Sequence, residues 1–424
     1  MTDGDFLQPW QFGDRHLVCQ QLHRHFEEKF SGIDQYDRKP VGKSLQSSLS
    51  RPAPMKRRQL LGQSAIAAGT AASLVACGQA TTSNNQATTG GALPNIRWRM
   101  VTSWPKSLDT LYGGAQDFCK AIATMTGGKF QITPYAAGEI VPGLEVLDAV
   151  QNGTIECGHT ASYYYIGKNP ALGFACVMPF GLTAQQQNAW LYAGGGLEIM
   201  QKVYSDFNII NFPVGNTGAQ MAGWFKKPVE SLADLRGLKM RIPGLGGQVM
   251  AQLGVNVQVI PGGELFLALD RGTIDAAEWV GPYDDEKLGL NKAAQYYYYP
   301  GWWEPGPTLD LLVNQSQWEK LPPEYQAIFQ EAARSANLLM LSRYETFNSI
   351  ALKKLLDGGT ILKSFSPEIL TVAQETSQAL LAEFASKDTQ FKEIYEQWQT
   401  FRTQMFGWNA INELSYTKFV EKAP

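Results

Sequence analysis

Arg241 is the residue whose type and setting most plainly could do chemistry. It closes a short strand pattern, Leu238 to Ile242, held between Gly237 and Pro243. With Met240 and Ile242 turned to a core, Arg241 and Lys239 take the opposite face. A guanidinium at the end of such a strand can offer two parallel N–H groups to a carboxylate, a geometry lysine cannot reproduce. On strand position alone, a solvated surface arginine is the favoured reading.

Histidine placement narrows the other chemistries. His16, His23 and His25 precede Met55, and His159 alone lies in the globular body. A multi-histidine metal site is excluded there, and a Ser–His–Asp or Cys–His arrangement would have to use His159. With 44% hydrophobic and 18% charged residues the chain is globular. Its formal net charge of −3, without a long basic run, gives nucleic-acid binding no support. Gly244-Leu-Gly246 follows a strand, but Val249 occupies the third position of a dinucleotide fingerprint, so a glycine-rich turn into a helix is expected. The aromatic cluster Tyr296 to Tyr299 with Trp302 and Trp303 reads as core or lobe interface. Asp284, Asp285 and Glu286 read as a solvated acidic loop.

The elements that must position these groups alternate between strand and helix. Ile96 to Val101 alternates as a strand, and Leu108 to Met125 repeats at three and four, with Ser107 as N-cap and Gly127-Gly128 as stop. Phe130 to Tyr135 is a short strand broken by Pro134. Residues 143–156, GLEVLDAVQNGTIE, align without gaps on residues 262–275, GGELFLALDRGTID. Each copy reads as a helix ended by a left-handed glycine, Gly153 or Gly272, and followed by a strand. Two such units predict an α/β fold with two similar lobes, each strand carrying its carboxyl end to a shared cleft. From Pro322 to about Phe401 the pattern is helical, closing a core or pairing with a second subunit as a homodimer.

The first part of the chain reads as export machinery. Met55 opens a segment with a basic head (Lys56, Arg57, Arg58), an apolar stretch from Leu60 to Ala76, and a lipobox Leu74-Val75-Ala76-Cys77. Arg57-Arg58 also fits a twin-arginine pattern. Residues 55–77 are therefore expected to be a signal peptide with Cys77 lipidated. Residues 78–94 are a flexible linker, and residues 1–54 a mis-assigned start or an extension. Cys119, Cys157 and Cys176 remain in the body with no spacing that selects a disulfide pair; buried free thiols are expected.

Five stretches together resemble the DctP-type substrate-binding proteins of tripartite ATP-independent periplasmic (TRAP) transporters. They are HTASYYYIGKNPALGF, the Thr217 to Trp224 segment, LADLRGLKMRIPG, DRGTIDAAEWVGPYDD, and Tyr299-Pro-Gly-Trp-Trp-Glu304-Pro-Gly. The narrower likeness is to the branch that binds 2-oxo acids such as pyruvate, or lactate, together with a metal ion. That resemblance implies a two-lobed periplasmic-binding-protein architecture over residues 95–424, with a ligand cleft between lobes and a helical C-terminal region. Lobe I would take about 95–216 plus returning segments, and lobe II about 217–300 plus C-terminal helices. It implies that Arg241 clamps the ligand carboxylate and that Gln220, Glu278 and the Trp279 carbonyl hold the cation. Glu304, with Tyr163 or Tyr164, would line the same cleft. A 2-oxo oxygen beside a carboxylate can chelate a metal, and hard oxygen ligands suit Na⁺ or Ca²⁺. The expected protein is non-enzymatic and periplasmic, lipid-anchored through Cys77, and delivers its acid to one large and one small membrane subunit. An exported metalloenzyme using Glu278 as base, or a sensory module feeding a receptor, are the alternative readings.

Overall fold

The computed structural model describes residues 93–421, and the leader, lipobox and linker discussed above lie outside them, apart from Leu93 and Pro94. Along the chain come β1 (Ile96–Thr102), α1 (Leu111–Met125), β2 (Phe130–Tyr135), α2 (Val146–Gln151), β3 (Cys157–Thr160), β4 (Ile209–Asn216) and β5 (Gly223–Phe225). Next are β6 (Lys239–Arg241), α3 (Gly244–Gln252), β7 (Asn256–Gln258), α4 (Leu265–Asp270), β8 (Ala276–Ala277), α5 (Pro282–Lys287), β9 (Tyr296–Tyr299) and β10 (Thr308–Asn314). The C-terminal part holds α6 (Pro323–Asp357), β11 (Ile361–Ser364), α7 (Pro367–Lys387), α8 (Thr389–Ile411) and α9 (Glu413–Val420).

The strands form two sheets, ordered β2-β1-β3-β10-β4 and β11-β9-β5-β8-β6-β7. Read from β2 and from β7, their directions match strand by strand. The first two pairings are parallel in each sheet, β1 with β2 and β3, β6 with β7 and β8. The next two are antiparallel, β10 with β3 and β4, β5 with β8 and β9. The fold is therefore two-lobed α/β with like lobes, and the internal sequence echo marks equivalent parts of each. Gly153 and Gly272 have φ of 70° and 75°, the left-handed conformation that ends α2 and α4 before β3 and β8.

The chain crosses between sheets three times. It passes from β4 to β5 through residues 217–222, returns from β9 to β10 through 300–307, and is spanned again by α6, which at 35 residues is about 50 Å long. Gly114 of α1 and Gly215 of β4 both face Met340 of α6, where a Cβ would come within 2.3 Å and 2.5 Å of the methionine. The end of the Met340 side chain thus fills the space that these two glycines of lobe I leave open.

Three local expectations are corrected. Helix α1 begins at Leu111, not Leu108, and Ser107 does not cap it; Leu108 closes a turn on the Pro105 carbonyl at 3.2 Å. The N-cap is Thr110, whose backbone is already helical (φ −87°, ψ −54°) and whose side chain makes no cap bond, its hydroxyl donating to Asp284. Asp284 and Asp285 are not solvated but fully buried in α5. Helix also continues past Phe401 through α8 and α9. Pro134 is accommodated because β2 lies at a sheet edge. Cys119, Cys157 and Cys176 are buried free thiols, and burial raises each thiol's pKa.

Candidate functional site

The carboxyl ends of the two equivalent strands meet. Past β3 the chain turns through Ser162–Tyr165, and past β8 it carries Glu278 and Trp279. β6, lying beside β8, delivers Arg241 to the same place, with Arg241 opposite Ala277 in the register. Arg241 is 1% exposed, so the surface alternative fails. Its Nη1 donates to the Glu278 carboxylate and, at 3.0 Å, to the Glu278 carbonyl; Nε donates to the Ile260 carbonyl at 3.0 Å. Nη2 reaches the Tyr164 hydroxyl of lobe I at 3.4 Å, and the guanidinium lies 5.0 Å from the Trp279 ring centroid. The fork is thus largely held by protein acceptors, and Nη2 is its least engaged nitrogen.

Gln220 sits on the first crossing and Glu304 on the second. They are joined where the Gln220 N–H donates to the Glu304 carbonyl at 3.0 Å. Gln220 Nε2 donates to Thr217 Oγ1 at 3.0 Å, which points its amide oxygen away from that partner. Three buried acceptors then have no hydrogen-bond partner: Gln220 Oε1, Glu278 Oε2 and Glu304 Oε2. Burying such atoms unpaired costs free energy, so groups of this kind call for a donor or a cation. The Glu278 and Val280 carbonyls accept from Arg241 and from the Met221 N–H, and the Trp279 carbonyl lies between them in sequence.

Electrostatics follow from this crowding. Burial would lower the Arg241 pKa, but Glu278, with Tyr164, Tyr163 and Glu304, raises it and keeps the guanidinium charged. Burial raises the Glu278 carboxyl, against the pull of Arg241. Glu304 is pushed well above the carboxylate range by burial and then by Glu278. Among the described residues no group of three or more His, Cys, Asp or Glu side chains is arranged to hold a metal ion. A cation here would draw on amide and main-chain oxygens as well as carboxylates, the donor set hard ions accept.

The cavity between lobes is lined by Trp104, Leu111, Tyr163, Tyr164, Gln220 and Trp279, among others. The structure brings Arg241, Glu278, Trp279 and Tyr164 into direct contact, and Tyr163 packs edge-on against Tyr164 with centroids 4.9 Å apart. Trp104 and Leu111 were not foreseen. Trp104 lies two residues past the end of β1, so the rule that ligands gather at strand carboxyl ends could have found it. His159 holds it: the Trp104 indole N–H donates to His159 Nδ1 at 2.8 Å, and His159 Nε2 faces the Val214 carbonyl at 2.9 Å. That pairing requires the neutral ring with its proton on Nε2, and burial lowers the His159 pKa to about 4.

A closed cleft between two like lobes, lined by aromatic rings around a buried guanidinium, defines a two-lobed solute-binding protein. Residues 100–388 match the family model described as bacterial extracellular solute-binding protein, family 7, of the DctP type. The chain belongs to that family; it is an extracytoplasmic solute-binding protein of a TRAP transporter, not an enzyme. It is 65% identical over 369 residues, 87% of this chain and 100% of the relative, to a monocarboxylate 2-oxoacid-binding periplasmic protein of Nostoc sp.. Among solved structures, one from Bordetella bronchiseptica is 48% identical with a TM-score of 0.77, over 78% of this chain and 98% of that one. It is a mixed-occupancy dimer with copurified calcium and picolinate in one active site and the other apo. Another, from Pseudoalteromonas atlantica, is 37% identical with a TM-score of 0.74, over 76% and 99%, and holds sodium and pyruvate.

Proposed function

We propose that the chain captures a small 2-oxo monocarboxylate, such as pyruvate, together with Ca²⁺ or Na⁺. It would deliver the acid to the large and small membrane subunits of the transporter. The observation that carries this reading is the set of buried, unpartnered oxygens on Gln220, Glu278 and Glu304 beside a buried arginine. Gln220, Glu278 and the Trp279 carbonyl would hold the cation, with Glu304 and Tyr164 or Tyr163 completing the wall. Arg241, through Nη2, would meet the ligand carboxylate.

Charge balance supports a monocarboxylate. A cation beside Glu278 and Glu304 would draw both buried carboxyls to their ionised form, and two ionised glutamates against one arginine leave one negative charge for that cation to offset. A divalent cation with a monocarboxylate brings the site to neutrality; a dicarboxylate would leave it negative. The relatives from Nostoc, Bordetella and Pseudoalteromonas point the same way through what they are named for or hold. A thermal-shift screen of monocarboxylates and dicarboxylates, with and without Ca²⁺ or Na⁺, tests the reading. Pyruvate with cation should stabilise most, growing with concentration; stabilisation by succinate alone would reject it.

The tether belongs to the same proposal. Lipidation of Cys77, after a signal peptide at 55–77 with a twin-arginine head and a start at Met55, would hold the receptor beside its permease. Loss of membrane association on Cys77→Ser would support the anchor, and unchanged fractionation would reject it. We also propose homodimerisation through the C-terminal helices, because Trp408, Ile411, Tyr416 and Phe419 of α8 and α9 are 59–77% exposed. Sedimentation would decide it.

A further inference from the structure

Asp284 and Asp285 of α5 are fully buried acids that the proposed ligand site does not itself use. Asp285 accepts four hydrogen bonds: from the Val280 and Gly281 N–H groups at 3.2 Å each, from Trp224 Nε1 at 3.0 Å, and from the Tyr297 hydroxyl at 2.8 Å. It therefore ties the turn just past Glu278 and Trp279 to β5 and β9 of lobe II. Asp284 faces elsewhere. One oxygen accepts from the Thr110 hydroxyl of lobe I at 2.6 Å, and the other from the Tyr344 hydroxyl of α6 at 2.7 Å. All three side chains are at most 1% exposed. A single carboxylate thus joins the first lobe, the second lobe and the crossing helix. Around it, Asp109 of lobe I meets Lys287 and, at 3.1 Å, the Tyr283 hydroxyl of α5.

We infer that Thr110 and Asp284 form a latch that couples lobe closure to retention of the ligand, an inference that rests on the ligand lying between the lobes as proposed above. Adjacent residues of one short helix face the two tasks: Asp285 sets the ligand-bearing turn, and Asp284 seats that helix against lobe I. Thr110 is a positioning residue that touches no ligand. The bond spans the lobes, since Thr110 enters α1 of lobe I while Asp284 rides on lobe II, and the latch holds that parting the lobes breaks it. Loss of the hydroxyl leaves one oxygen of a buried carboxylate without its donor in the closed form alone.

The test uses Thr110→Val, which keeps the shape and removes the hydroxyl, with Tyr344→Phe as a comparison inside the junction. Pyruvate dissociation is followed by stopped-flow in the presence of calcium, alongside thermal unfolding of ligand-free protein. Thr110→Val should speed dissociation about tenfold while the ligand-free unfolding temperature stays at the wild-type value. Tyr344→Phe should lower that temperature, since its bond does not require closure. An unchanged dissociation rate in Thr110→Val, or equal loss of stability with and without pyruvate, would overturn the latch. Should wild-type protein not bind pyruvate at all, the reading of the site fails separately. The acid that the thermal-shift screen selects, with calcium, then replaces pyruvate: Thr110→Val should speed its dissociation about tenfold, and an unchanged rate rejects the latch.

Discussion

Arg241 and Glu278 are locked to one another, with Nη1 of the arginine meeting both the side-chain and the main-chain oxygen of the glutamate. The same arginine fastens Ile260 through Nε. It therefore shapes the lobe II wall before any ligand arrives, and offers mainly Nη2 to an incoming carboxylate. Arg241→Lys can preserve a charge but not this three-way arrangement. Pyruvate affinity should fall by about 2–5 kcal/mol, the cost of disrupting a buried charge pair. Isothermal calorimetry giving wild-type affinity would remove Arg241 from the site.

The proposed cation ligands can be separated from the arginine's partner role. Glu278→Gln keeps a main-chain and a side-chain acceptor for Arg241 but reduces the charge that a metal would feel. Combined with Gln220→Ala, it should abolish stoichiometric calcium in elemental analysis and weaken pyruvate binding with it. Full metal content in the double variant would mean that other oxygens hold the ion.

His159 predicts a pH signature independent of ligand. Its pKa falls from the ordinary 6.5 to about 4 in the folded protein because burial disfavours the imidazolium. Between those values the unfolded chain binds a proton that the native chain refuses. The stability from neutral His159 is complete above about pH 6.5 and is lost as pH falls toward 4. Asp310, raised to about 6 by burial, acts with the opposite sign: its contribution is full below its ordinary 3.8 and is lost as pH rises through 6. Comparing wild type with His159→Gln isolates the histidine. Urea unfolding at pH 5 and pH 7 should show a smaller acid loss in the variant, by up to about 1.4 kcal/mol per pH unit. Parallel pH profiles would refute the neutral, proton-refusing ring.

Gly223 is the position where one methyl group should damage the site from behind. Its φ is 91°, and a Cβ would lie 2.4 Å from the Ala277 carbonyl oxygen and 2.6 Å from Glu278 Cα. Both obstacles are backbone, so no rotamer change relieves them. Gly223→Ala should destabilise the fold by at least about 1–3 kcal/mol and displace Glu278, lowering calcium content at temperatures where the protein is still folded. Wild-type melting and metal content together would contradict this placement.

Much of the molecule was legible because its grammar is local. The echo between residues 143–156 and 262–275 rests on helix ends at Gly153 and Gly272, which adopt the left-handed turns their sequence demands. The carboxyl ends of the strands that follow, with the neighbouring Arg241, point to the cleft by the general rule for open sheets. What stayed hidden depends on distant partners. Asp284 and Asp285 look like a wet acidic turn until Thr110, 174 residues away, and Tyr344, Trp224 and Tyr297 supply buried donors. The hydroxyl of Thr110 was hidden likewise, since it serves Asp284 and not its own helix. The engagement of Arg241 by the Ile260 carbonyl was equally out of reach, because strand periodicity indicates a face and not a partner.

The most direct measurement is calorimetric titration of pyruvate into chelator-treated wild-type protein, repeated after calcium or sodium is restored. Binding should be weak or absent without the ion and should reappear, with one pyruvate per chain, once it is returned. Equal affinity in both titrations would contradict a site in which a captured cation and Arg241 share the acid between them.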